Sequence, residues 1–185
     1  MKRFFAILLV LAMILTAFTA CSSSSSSSTD LEAEKALVKA DVEKRFNAQF
    51  GPESITNSEE TVALIESADI DANEFAEASA KHYSMVINDI IVAGDMGLVK
   101  ATLTYIDTDG FDALLDKRLE EYYAENDISY IAGLSEEEQQ AEASRISCLI
   151  NFEIMKSDDV PTKTSDVNIG YDKVDGVWIT SYFDS

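Results

Sequence analysis

The chain has 185 residues, 34 of them acidic and 14 basic, with a formal net charge of −20 at pH 7. A surface so acidic is repelled by nucleic-acid phosphate and by anionic lipid heads, so no nucleic-acid partner is expected. No glycine-rich phosphate loop, CxxC pair, HExxH or Ser–His–Asp order occurs, and no metal or cofactor is expected.

The first 20 residues have three parts. Lys2 and Arg3 start it, Phe4 to Leu15 are apolar almost throughout, and Thr16 to Ala20 are mostly small. That is the layout of a secretory signal peptide, and the apolar run falls short of the roughly 20 residues that span a bilayer comfortably. Its end, "FTAC", resembles the lipobox of bacterial lipoproteins, with Phe18 where leucine is usual. The resemblance implies cleavage before Cys21, acylation of its sulfur and anchoring on the extracytoplasmic face of the cell membrane. A chance cysteine after an ordinary signal peptide is the alternative. Cleavage leaves 12 basic residues against 34 acidic ones, a net charge of −22. Ser22 to Ser28 have nothing to bury and read as a tether. The expected layout is therefore 1–20 signal, 21–30 lipidated cysteine and tether, and 31–185 one domain. With Cys21 acylated, Cys148 has no partner, and its apolar setting "SRISCLINFEI" predicts a buried, inert thiol.

Thr29 to Gly51 predict a helix capped by Asp30 and ended by Gly51-Pro52, with Leu37, Val38, Val42, Phe46 and Phe50 as its apolar stripe. Ser58 caps a second segment, "EETVALIESA". Asp71 and Glu74 form a capping box for a third helix, from about Ala72 to His82. His82, the only histidine, is expected exposed at that helix end.

At Tyr83 the pattern turns to strands. "YSMVINDIIVAGD" and "MGLVKATLTYID" predict a hairpin turning in "AGDMG". Val99, Ala101, Leu103 and Tyr105 fall on its more apolar side. "YIDTDGFDALLD" is spaced like a calcium loop from Asp107 to Asp116. Tyr105 occupies the first ligand position and the closing glutamate is missing, so a turn and a helix cap are expected instead. Leu114 to Tyr123 mark the next helix. Ser135 and Glu138 make a capping box for another, whose end, Ile146 to Met155, also suits a strand and is taken as helix.

The last hairpin turns on Asp175-Gly176, a strong two-residue signal. Counting out from it pairs Val174 with Val177, Lys173 with Trp178, Tyr171 with Thr180 and Ile169 with Tyr182. Trp178, Tyr171, Ile169 and Tyr182 would then share a face. Helices, hairpin, helices, hairpin indicate an α+β domain: a curved antiparallel sheet of about four strands packed against several helices.

The lipobox, the helix leading into the first hairpin, and the closing "KVDGVWI" together resemble small extracytoplasmic lipoproteins of Gram-positive bacteria with a cystatin-like or NTF2-like fold. Lys173, Asp175, Gly176, Trp178 and Ile179 carry the closing hairpin of that likeness. It implies a fold and a location, and no assigned activity. Such folds often enclose a pocket, and some relatives are enzymes pairing a carboxylate base with a tyrosine. Tyr83, Asp89, Tyr105, Tyr171, Trp178 and Tyr182 are the candidate pocket residues. A binding or interaction module for a small ligand, a peptide or an envelope protein is expected first, an enzyme or a passive structural lipoprotein second.

Overall fold

The computed structural model describes residues 28–183. The signal peptide, Cys21 and most of the serine run lie outside them. The described chain is a four-stranded antiparallel sheet and six α-helices, the α+β architecture expected.

Helix α1 spans Ser28–Phe50. Ser28 is already helical, so the tether ends one residue sooner than the serine run, and Asp30 lies inside the first turn rather than at the cap. Val38 and Val42 are buried, Phe46 and Phe50 half-buried; Leu37 lies off the stripe and is exposed. Gly51 ends α1, and Pro52 opens a single extra turn, α2 (Glu53–Thr56), because its fixed φ of −55° is already helical. Helix α3 (Glu59–Glu66) is capped by the Ser58 hydroxyl, which accepts from the Thr61 N–H at 3.3 Å.

Asp71 caps α4 (Ala72–Ala80), accepting from the Asn73 and Glu74 N–H groups at 2.8 and 3.0 Å. Only this half of the expected box forms, because Glu74 turns away to accept from Lys156 at 2.8 Å. His82 is half-buried instead of exposed. Its Nε2–H donates to the Met155 carbonyl at 2.8 Å, while Lys81 donates to the Lys156 carbonyl at 2.8 Å. The end of α4 thus satisfies carbonyls that the last turn of a neighbouring helix leaves open.

Strands β1 (Ser84–Ala93) and β2 (Met96–Ile106) turn at Gly94, whose φ of +61° favours glycine. The register shifts at Asn88, between Ile87 and Asp89. Ile87 and Ile90 are three residues apart, so a bulge is what lets both point into the core. It also sends Asp89, paired with Lys100, to the open face.

Asp107 sits at the cap position of α5 (Thr108–Glu125), and its carboxylate meets Lys163 at 2.6 Å. Asp109, Gly110 and Asp116 all lie within α5, so the calcium-like spacing is helix, not loop. A short 3-10 turn (Ser129–Gly133) leads to α6 (Glu136–Lys156), where the Ser135–Glu138 box forms in full. Ile146 to Met155 are helical, as taken.

Strands β3 (Thr162–Val174) and β4 (Val177–Ile179) complete the order β1-β2-β3-β4. The turn residues Asp175 and Gly176 have φ of 51° and 82°, the two positive values a primed hairpin turn needs. Val174 pairs with Val177 and Lys173 with Trp178, as counted from the turn. The pairing then stops at Ile179, so the expected Tyr171–Thr180 and Ile169–Tyr182 pairs do not form. Phe183, not Tyr182, packs with Trp178, Tyr171 and Ile169.

Three cores result. Helix α1 lies across one sheet face, burying Val38 and Val42 on Val99, Ala101, Ile169 and Trp178. Each such side chain contributes roughly 1.5–3 kcal/mol when fully buried. Helices α5 and α6 close a second core on Ile106 and Val160; α3, α4 and α6 close a third around Ile65. On the other sheet face Ile106 is buried against α5 and α6, while the positions of β2 from Met96 to Thr104 on that face are exposed or half-buried. An Asn88–Thr102–Asp166 chain crosses it, with Asn88 Nδ2–H donating to the Thr102 hydroxyl and that hydroxyl to Asp166, at 2.9 and 2.7 Å.

Candidate functional site

The six candidate pocket residues separate into four places. Tyr171 and Trp178 lie under α1. The Tyr171 hydroxyl donates to Asp41 at 3.0 Å, and Asp41 also accepts from Arg45 at 2.8 Å. Trp178 Nε1–H donates to one oxygen of Glu34 at 2.7 Å and Lys173 to the other at 2.6 Å. Those two bonds, the lysine's first, hold the Glu34 carboxyl below its usual range; burial and the Asp41 charge raise the Tyr171 hydroxyl. This is a clamp that fastens α1 to the sheet, and it leaves neither aromatic ring open to a ligand.

Tyr83 and Tyr105 do meet. With Phe46, Phe50 and the end of β2, from Leu103 to Ile106, they line a groove of about 240 Å³ at the C-terminal end of α1. Tyr83 stacks on Phe50 with centroids 5.0 Å apart, and burial raises its hydroxyl above the ordinary range. Asp89 is exposed on the open sheet face, so no carboxylate lines this groove. Tyr182 is exposed beyond β4, edge-on to Phe183 at 5.1 Å.

A larger groove, about 440 Å³, runs between α3, α4 and α6. One wall is apolar: Leu64 and Ile65 of α3, Phe75 of α4 and Cys148 of α6. The other is polar and uncharged: Gln140, Ser144, Ser147 and Asn151, on successive turns of α6. Helical spacing of three and four residues puts them on one face. Thr61 and Ala143 complete the lining, so none of its ten residues is charged, in a protein where 26% are. Cys148 is half-buried here rather than sealed in a core, and burial raises its thiol pKa. Among the described residues, no helix is long and apolar enough to cross a membrane.

No family model matches the chain, and no curated protein matches it. Among solved structures it is similar to a "putative lipoprotein", ycdA of Bacillus subtilis, at 19% identity and a TM-score of 0.42. The similarity covers 74% of this chain and 40% of that one, so the chain spans well under half of that protein's length.

Sequence reasoning placed none of its candidates in the larger groove. The signal was present in α6, where "QQAEASRISCLIN" carries a run of small uncharged residues on one side. A stripe of small polar residues on a helix also suits a solvent face, and only the packing of α3 and α4 opposite it makes a groove.

Proposed function

We propose that the chain is a lipoprotein, held on the extracytoplasmic face of a membrane by acylated Cys21, and that it works there as a binding module. Its ligand seat is the groove between α3 and α6. The observation that carries the binding reading is the uncharged lining of that groove within a strongly acidic protein. Charged side chains are the default on an exposed surface, and their absence from one concave patch suits a ligand that carries no charge. The walls suit a small molecule or short peptide, apolar on one side and hydrogen-bonding on the other. The anchoring half of the reading rests on Cys21 and the residues before it. One helix laid across a four-stranded antiparallel sheet supports the cystatin-like part of the reading, with α2–α6 as a helical addition.

Two measurements test the halves separately. In cells fed a radioactive fatty acid, wild-type protein is labelled and Cys21→Ala is not; equal label in both ends the lipoprotein reading. Native mass spectrometry of protein purified from its own membrane shows an adduct, and Ser147→Trp, which fills the groove, lacks it. An identical adduct on the variant removes the groove from consideration.

Cys148 offers an independent probe. With Cys21 acylated it is the chain's one free thiol, and its raised pKa lowers the thiolate fraction. Alkylation by iodoacetamide at pH 8 is expected to run slower than for free cysteine, and slower still with the groove filled. Alkylation at the free-cysteine rate would show the thiol to be open to water.

A further inference from the structure

Four apolar side chains lie together on the sheet face away from α1. Met96 and Ile179 flank Asp172 in one cross-strand row, and Val174 and Val177 pair in the next. Their exposures are 38, 44, 49 and 61%, in that order. One exposed valine is ordinary; four at one end of a sheet mark a contact surface.

That end is also where the chain enters the domain. Glu34 of α1 bonds Lys173 and Trp178, one pair inside the β3–β4 turn, and Asp41, further along α1, reaches back to Tyr171. Helix α1 therefore runs away from that turn. Its first residue, Ser28, lies six residues before Glu34, about 9 Å further toward the turn at 1.5 Å per residue. The β1–β2 turn is there as well, since the Lys173 N–H donates to the Asp95 carbonyl at 2.8 Å. Six residues lie between Cys21 and Ser28, seven steps of chain. Even fully extended they reach about 25 Å.

We infer that Met96, Val174, Val177 and Ile179 rest on the lipid surface, so that the domain stands on the turn end of its sheet. The inference depends on the acylation of Cys21 proposed above. A patch this small does not bind lipid alone. A short tether raises its effective concentration at the surface to the millimolar range, and a weak contact is then held without further affinity. Asp172 stands inside the patch between Met96 and Ile179, and Asp95 and Asp175 lie in the adjoining turns, so the contact is a shallow one that favours zwitterionic heads and weakens as anionic lipid is added. The helical layer with the α3–α6 groove continues from the opposite end of α1 and faces outward.

The test uses acylated protein carrying Cys148→Ser and Val177→Cys, in which the new thiol alone takes an environment-sensitive nitrobenzoxadiazole label. In phosphatidylcholine vesicles its emission is expected to rise roughly twofold or more, and a lipid spin-labelled near the headgroup to quench it. Added phosphatidylglycerol reduces the rise. The same label on Ser144→Cys, in the groove, stays unchanged. A label at 177 as wet as the one at 144, on protein that floats with the vesicles, overturns the inference while leaving the anchor intact. A label shielded in native membranes but not in lipid vesicles also overturns it, and assigns the patch to a protein. Protein that does not float with vesicles refutes the anchor, and the inference with it.

Discussion

Trp178→Ala is expected to lower the melting temperature by roughly 10 °C, the consequence of losing about 3–5 kcal/mol. The ring is 5% exposed and packs in the core with Val38, Val42 and Ile169. It packs over Gly97, where a β-carbon would meet it at 3.4 Å, so truncation opens a cavity against the middle of the sheet. Truncation also strips a donor from Glu34, leaving that carboxylate to Lys173 alone. An unchanged melting temperature would mean that the ring is solvent-exposed and open to ligand. Glu34→Gln separates packing from charge, since it keeps the shape and removes the ionised acceptor. Folding lowers the Glu34 pKa, so its contribution is present above the unfolded value, roughly 4.3, and fades as pH falls through the depressed folded value. The gap between wild type and Glu34→Gln is therefore expected to be widest near pH 7 and to close toward pH 3.

Where a local rule fully determines the geometry, the sequence was readable. Asp175-Gly176 needs two positive φ angles, few residue pairs supply them, and the register of Lys173 and Trp178 followed by counting. The Ser135–Glu138 box is equally local, because both its bonds lie within one turn. The Asp71–Glu74 box obeyed the same rule only in part, since Lys156, 82 residues further on, competes for Glu74. The count from the last turn failed at Thr180 because nothing local says where an edge strand leaves its partner. Asp89 went astray for a related reason. Strict alternation takes no account of a bulge, although Ile87 and Ile90 already signalled one. The grooves were the least readable. Tyr83 and Tyr105 come together through the packing of α1 on the sheet, and Leu64 faces Ser144 and Ser147 through three helices meeting at distances that no sequence window contains.

Ile146→Ala probes whether the helical layer and the sheet are one unit. Ile146 is fully buried in α6, among Phe111, Ile150 and Ile154, and touches none of the residues around Trp178. Removing three methylene-sized groups there costs about 2–5 kcal/mol, enough to lower the melting temperature by roughly 10 °C. The two cores are joined by backbone that both use. Strand β2 carries Val99 and Ala101 into the sheet core and ends at Ile106 in the helical one, and β3 enters from Val160 in the same way. Unfolding the helical layer would free the end of the central strand pair, from Tyr105–Lys163 to Ile106–Thr162, and so weaken the sheet. Calorimetry of Ile146→Ala is therefore expected to show one transition, displaced as a whole. Combined with Trp178→Ala, its effect should add, because the sites share no partner. A second, earlier transition in Ile146→Ala alone would divide residues 31–185 into two folding units and assign the α3–α6 groove to the less stable one.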